Sequence, residues 1–127
     1  MSLTAMLFVH DVQASSRWYQ SLLGFKSAHG GPEFEMLQDA DGGFALFLHR
    51  AEADEHGEAR RIPGAPVGSG VLLHNTVDDV RAAHRKALDM GAVVEGPPTF
   101  IQQAGHTEFV VRDPDGYALS IAQRGEV

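Results

Sequence analysis

Apolar runs of strand length alternate with amphipathic stretches along the chain, beginning with an apolar run at residues 3–9. In the stretch that follows, apolar residues recur at three- and four-residue spacing, which is typical of a helix with one buried face. The members of this stripe are Trp18, Tyr19, Leu22 and Leu23. Asp11 suits the N-cap of such a helix, and Gly24 suits its C-terminus. The first half therefore predicts a strand followed by a capped helix.

The second half repeats this pattern. Residues 71–77 form another apolar run of strand length, and the next stretch again has helical spacing. Its apolar side consists of Val80, Ala83, Ala87 and Met90. Asp78 or Asp79 is expected to be the N-cap, and Gly91 is expected to end the helix. Because two different signatures recur in the same order, we interpret the chain as an internal duplication.

Each predicted helix is followed by strand-like segments joined by a tight turn. Residues 34–38 and 107–111 alternate as half-buried strands do, and an Asp-rich turn that ends in glycine follows each of them. Residues 44–49 and 117–122 then predict the last strand of each half. The plan is βαβββ twice, which belongs to the α+β fold class.

The boundaries of the two modules follow from the composition of the segment between them. Residues 51–70 are first charged and then rich in Gly and Pro, which predicts a linker. Module one then spans about 3–50 and module two about 71–123, within a single domain of residues 1–127. Neither half covers its own sheet face, so we expect the modules to pack together or with a second chain.

Composition narrows the possible partners. The 127 residues include 17 acidic and 10 basic side chains, and the net charge of −7 makes nucleic acid and anionic membranes poor partners. The absence of cysteine excludes disulfide scaffolds, zinc–thiolate sites and thiol nucleophiles. No targeting segment or membrane span is predicted, so we expect a cytoplasmic protein.

The chain resembles the vicinal oxygen chelate superfamily, which includes glyoxalase I, bleomycin-resistance proteins, fosfomycin-resistance enzymes and extradiol dioxygenases. The segments that carry the resemblance are Val9-His10-Asp11-Val12, Trp18-Tyr19, Leu22-Leu23-Gly24-Phe25, Val77-Asp78-Asp79-Val80 and Asp113-Pro114-Asp115-Gly116-Tyr117. The resemblance implies two βαβββ modules that form a cupped mixed sheet, with helices on the convex face and the ligand on the concave face. Members are commonly dimers, so a homodimer is expected.

The resemblance also implies four positions for the ligands of a divalent metal. They correspond here to Thr4 and Leu72 on the first strands, and to Leu46, uncertain by one position, and Ser120 on the last strands. Leucine has no donor atom and a hydroxyl is a weak neutral ligand, so these side chains do not suit a metal. We therefore expect no metal and no cofactor, as in the bleomycin-resistance branch.

Inward-facing positions on the predicted strands form the candidate ligand site. Its members are Thr4, Met6, Phe8, Met36, Leu46, Leu48, Leu72, His74, Glu108 and Ser120, with Phe34 as a further apolar candidate. His49 alternates with the two leucines and is expected to point away from the site. His106 is placed at the rim. The largely apolar set favours an apolar or aromatic ligand.

Three functional hypotheses compete, and the vacant metal positions favour the first. It is metal-independent binding or sequestration of a small, partly apolar molecule, with an antibiotic as one candidate. The alternative is a glyoxalase-like lyase or isomerase, or a dioxygenase-related enzyme, in which His74 and Glu108 act as a general base and its orienting partner. A third possibility is a domain that associates with another protein through its sheet.

Overall fold

The computed structural model describes residues 3–52 and 61–127, and the chain divides into two compact units, residues 1–66 and 67–127. Each unit contains one of the predicted modules. Met1, Ser2 and the 53–60 part of the predicted linker lie outside the described residues.

The first unit contains one helix and a four-stranded sheet within its described residues. Its elements are β1 (Met6–Val9), α1 (Val12–Leu23), β2 (Lys26–His29), β3 (Phe34–Gln38) and β4 (Phe44–Arg50). The strand order is β1-β4-β3-β2, with β1 parallel to β4 and the other pairs antiparallel. Strand β1 is shorter than the predicted segment at residues 3–9.

The second unit has the same topology. Its elements are β5 (Leu73–Thr76), α2 (Val80–Asp89), β6 (Val93–Ile101), β7 (His106–Arg112) and β8 (Ala118–Arg124). The strand order is β5-β8-β7-β6, and β5 pairs with β8 in parallel. The α+β class and the duplicated βαβββ plan are therefore confirmed. Strand β5 is shorter than the predicted segment at residues 71–77.

Both helices begin at an aspartate, as the sequence predicted. The Asp11 carboxylate accepts a hydrogen bond from the Ala14 amide at 3.0 Å, which satisfies a free donor of the first turn of α1. In α2 the cap is Asp79, which accepts from the Ala82 amide at 3.0 Å. Gly24 ends α1 with a left-handed φ of 72°, a conformation that glycine adopts at little cost.

The β3–β4 and β7–β8 hairpins use the same turn chemistry. In the second, the Asp113 carboxylate accepts hydrogen bonds from the amides of Asp115 and Tyr117, at 3.0 and 2.8 Å. In the first, Asp39 accepts from the amides of Asp41 and Gly43. The predicted turns are thus confirmed, and each brings the third and fourth strands of its module into antiparallel register.

Helix α1 covers one face of the first sheet. The Ser16 hydroxyl donates to the buried Glu35 carboxylate at 2.8 Å, which identifies the face of β3 that meets the helix. Residues that pair with Glu35 or lie two positions from it along a strand point to the same face. This face carries the buried core. Its buried apolar members on the sheet are Leu7, Val9, Leu37, Leu46 and Leu48.

Helix α2 covers one face of the second sheet in the same way. The His84 ring packs edge-on against Phe109, with 5.1 Å between ring centroids, and the Gln123 side chain accepts a hydrogen bond from the Val80 amide. This face carries the buried core residues Phe109, Val111, Leu119 and Ile121. In each unit, the side chains on the opposite face of the sheet are therefore left for other contacts. We call this opposite face the helix-distal face.

A register shift in β4 distinguishes the two hairpins. In the second unit the pairing runs without interruption from Arg112–Ala118 to Val111–Leu119. In the first unit Gln38 pairs with Phe44 but Leu37 pairs with Leu46, so β4 contains one extra residue, Ala45. A bulge of this kind reverses the facing of every later residue relative to simple spacing.

Among the described residues, no helix is both long enough and apolar enough to cross a membrane.

Replacing Asp79 by alanine should lower the free energy of unfolding by about 1 kcal/mol, because the Ala82 amide loses its acceptor. Asp78→Ala is the matched control, since Asp78 is exposed and precedes the cap. Urea unfolding followed by circular dichroism measures both changes. Equal destabilisation by the two substitutions would contradict the assignment of the cap to Asp79.

Candidate functional site

The helix-distal face of the first sheet is aromatic. Its members are Met6, Phe8, Phe34, Met36, Phe47 and His49, which adjoin one another through the pairing of β1, β3 and β4. Ring centroids are 5.3 Å apart for Phe8 and His49, and 5.7 Å apart for Phe34 and Phe47. Tilted aromatic contacts at such distances are favourable beyond simple burial. This face suits a flat apolar group.

The predicted orientations of three β4 residues were wrong. Leu46 and Leu48 lie in the core on the helix-covered face, paired with Leu37 and Glu35, and they are 4% and 0% exposed. His49 lies on the helix-distal face, where its ring contacts Phe8. Both faces of β4 are apolar, so the alternation of residue types does not show which residues face the helix. The extra residue, Ala45, moves every later residue of β4 to the opposite face from the one that simple spacing predicts. The helix-distal counterpart of Leu46 is Phe47.

The helix-distal face of the second sheet is polar. Glu108 on β7 lies at its centre and accepts two hydrogen bonds through different carboxylate oxygens. The His106 ring donates from Nε2 at 2.6 Å, and the Ser120 hydroxyl donates at 2.9 Å. A carboxylate can only accept when ionised, so His106 carries a proton on Nε2. Two of the predicted site residues, Glu108 and Ser120, are therefore in direct contact.

These contacts lower the pKa of Glu108 below its ordinary value of 4.5. The main cause is the hydrogen bond from His106, and the Ser120 hydroxyl adds to it, whereas partial burial acts in the opposite direction. Glu108 is consequently an ionised acceptor near neutral pH, held in place by both donors.

His74 lies on the same face of the sheet as Glu108. Its ring lies beside that of His106, with 5.3 Å between centroids, and the structure gives no hydrogen bond between His74 and Glu108. The Glu108 carboxylate is hydrogen-bonded to His106, while the charge of His74 adds to the lowering of the pKa of Glu108. The two-residue spacing of His106 and Glu108 on one strand was the signal for this arrangement.

A cavity of about 350 Å³ opens beside the two histidines. Its lining consists of His74, Thr76, Ala104, Gly105, His106, Ala122 and Arg124. Thr76 and Arg124 were not predicted as site residues. Thr76 shares strand parity with His74, so its place could have been foreseen, whereas Arg124 lies beyond the predicted end of the last strand.

A further cavity of about 490 Å³ in the first unit is lined by His10 and by residues 51–52 and 61–65. On its wall, the His10 ring and the Glu52 carboxylate form a hydrogen bond of 2.8 Å. That bond is the main cause of a lowered pKa of Glu52. None of the predicted ligand residues lines this cavity.

The side chains at the four implied metal positions do not fit a metal ion. Thr4 and Leu72 precede the first strands of their modules, and Leu72 is exposed. Because of the bulge in β4, the residue equivalent to Ser120 in the first module is Phe47: it pairs with Met6, just as Ser120 pairs with His74. The Phe47 side chain has no donor atom. The Ser120 hydroxyl is already bonded to Glu108. Among the described residues, no three His, Asp or Glu side chains are grouped to hold a metal.

This two-module fold is that of glyoxalase-like proteins, and a family model agrees. The model of the glyoxalase/bleomycin resistance protein/dioxygenase superfamily matches residues 3–121. The chain belongs to this superfamily. No curated protein matches the chain closely enough to count as a relative.

Solved structures share the fold at low sequence identity. A glyoxalase/bleomycin resistance protein/dioxygenase family enzyme from Burkholderia phytofirmans is 23% identical, with a TM-score of 0.76 over 97% of this chain and 98% of that one. A glyoxalase-related enzyme from Fulvimarina pelagi is 20% identical, with a TM-score of 0.77 over 98% and 88%. TioX from Micromonospora sp. ML1 is 19% identical, with a TM-score of 0.71 over 98% and 99%. At these identities the likeness shows the fold alone.

Glu108→Gln should lower the free energy of unfolding by about 1 kcal/mol at pH 5.5, because the ionised acceptor of two hydrogen bonds is lost. Since folding lowers the pKa of Glu108, its contribution is full above the unfolded value and is lost as pH falls through the folded pKa. The difference between the wild type and the variant should therefore shrink between pH 5.5 and pH 3 in urea unfolding experiments.

The control for this experiment is Glu126→Gln, which removes an exposed carboxylate with no hydrogen bond among the described residues. It should leave the free energy of unfolding within a few tenths of a kcal/mol of wild type. A pH-independent difference for Glu108→Gln would contradict the role assigned to the ionised carboxylate.

Proposed function

We propose that this protein binds a small, partly apolar organic molecule without a metal and without transforming it. The observation that carries the proposal is the cavity beside His74 and His106, which combines polar side chains with the apolar wall of Ala104 and Ala122. A volume of about 350 Å³ is at the small end of ligand pockets, which usually measure roughly 300–1,000 Å³.

The aromatic face of the first sheet supports an apolar component in the ligand. Phe34 and Phe47 are only partly covered, and Phe44 beside them is 51% exposed. Grouped aromatic side chains that remain accessible are a common feature of surfaces that bind apolar molecules. Sequestration of an antibiotic is one function that such surfaces would serve.

The chemistry of Glu108 does not suit a direct role as a general base. A general base at neutral pH works best with a pKa near 7, but the pKa of Glu108 is shifted in the opposite direction. Both of its oxygens are also engaged by protein donors. The carboxylate therefore acts best as a fixed support for His106.

The donor set favours metal-independent binding. Phe47 and Leu72 offer hydrocarbon at two of the implied ligand positions, and Ser120 offers a hydroxyl that already donates to Glu108. We also propose that the protein is a cytoplasmic homodimer that does not bind nucleic acid or membranes, as its family resemblance and acidic charge predict.

Calorimetric titration of the full chain with a panel of aromatic natural products, including antibiotics, tests the proposal. At least one compound should bind, EDTA should leave its affinity unchanged, and His74→Ala should weaken it about tenfold, a loss of roughly 1.4 kcal/mol. Arg85→Ala, on the exposed surface of α2, is the control and should bind as wild type. Failure of the whole panel to bind, or loss of binding in EDTA, would refute the proposal.

A second candidate function rests on the His106–Glu108 contact. A carboxylate that fixes an imidazole is the arrangement of a general base with its orienting partner, so a lyase or isomerase of the glyoxalase type remains a competing function. In this form the base is His106, with His74 beside it.

The catalytic alternative predicts turnover of an α-hydroxy or α-keto carbonyl compound that His106→Gln reduces at least 100-fold. Product formation by nuclear magnetic resonance is the measurement, with Arg85→Ala as the control. Equal rates for the wild type and His106→Gln would exclude this function.

A further inference from the structure

We infer that the cavity of the second unit is a carboxylate-binding site in which Arg124 holds the acidic group of a small organic acid. The inference rests on the proposed binding function and specifies the chemical class of its ligand. It concerns the polar end of the ligand, which the sequence did not specify.

Arg124 is the residue that gives the cavity its charge. It is the one side chain of permanent charge among the residues that line the cavity, and it is exposed. The structure gives its guanidinium no hydrogen bond or ion pair with another described residue. A guanidinium presents a planar set of donors that matches a carboxylate in two-point geometry. Its unused donors are therefore available to an acidic ligand.

Neighbouring donors surround the same space. Arg124 on β8 pairs directly with His106 on β7, and Thr76 on β5 pairs with Ala122, two residues before Arg124. The Thr76 hydroxyl and the His74 ring have no hydrogen-bond partner among the described residues. A carboxylate at Arg124 would thus find further donors on the adjoining strands.

The carboxylate of Glu108 does not cancel this preference. Glu108 is not among the lining residues, and both of its oxygens accept hydrogen bonds from His106 and Ser120. Its charge is partly offset by the donors that hold it, whereas that of Arg124 faces no such partner. The cavity lining therefore carries the positive charge of Arg124, although the net charge of the chain is −7.

The number of charges favours a carboxylate over a phosphate or phosphonate. The charge of one guanidinium balances a single negative charge, while it would leave a doubly charged group half-compensated in a partly enclosed space. Ala104 and Ala122 add an apolar wall that suits a short hydrocarbon or ring attached to the acid.

Nuclear magnetic resonance titration of the full chain with benzoate tests the inference. Benzamide, benzylamine and phenylphosphonate are the neutral, cationic and doubly charged comparisons. Benzoate should shift the ring resonances of His74 and His106 and bind at least tenfold more tightly than each comparison. Arg124→Gln should weaken benzoate about tenfold, and Arg124→Lys should restore part of the affinity. Arg85→Gln, on the exposed surface of α2, should bind as wild type.

Three results would overturn the carboxylate assignment: no shift of the two rings with benzoate, equal affinity for benzamide, or unchanged affinity in Arg124→Gln. Tighter binding of phenylphosphonate would also reject it in favour of a doubly charged ligand. Natural products that bind while benzoate does not would refute this inference and leave the proposed function standing. Benzoate binding without any natural product would refute the wider function and retain the anion site.

Discussion

Parallel pairing of the first and last strands is the constraint on which each module depends. The helix that follows the first strand carries the chain across the sheet to the second strand at its opposite edge, and it covers one face. Residues far apart in the chain are thereby placed side by side on the other face, as His74 is with Ser120. Because the core occupies the helix-covered face, ligand chemistry is confined to the opposite one. What each module can bind therefore depends on which side chains lie on its helix-distal face.

The duplicated scaffold carries opposite chemistry in its two copies. Through equivalent pairings, Phe34 corresponds to Glu108 and Phe47 corresponds to Ser120. The same backbone positions are thus aromatic in one module and polar in the other. Most core positions, in contrast, remain apolar in both copies because each is covered by a helix; Glu35, which corresponds to Phe109, is an exception. The duplication has therefore retained the packing requirement while the helix-distal faces diverged.

Local signals were sufficient to predict the elements, but not the facing of every strand. Helix caps and hairpin turns depend on a few neighbouring atoms, so Asp11 and Asp113 could be assigned from sequence. The facing of β4 depends on one inserted residue and on pairing with β3, neither of which is visible in a strand that is apolar on both sides. The hydrogen-bond partner of Glu108 likewise depends on tertiary structure, because His74 and His106 both lie on the same face of the sheet as Glu108.

The bulge in β4 also limits how the protein can be redesigned. A designer who copied the spacing of the second hairpin would introduce a coordinating side chain at Leu46, which lies beneath α1 and has no room for an ion. The change would create a buried polar group and destabilise the core instead of building a reactive centre. Position 47 is the appropriate target, because the extra residue has moved the usable site one step along the chain.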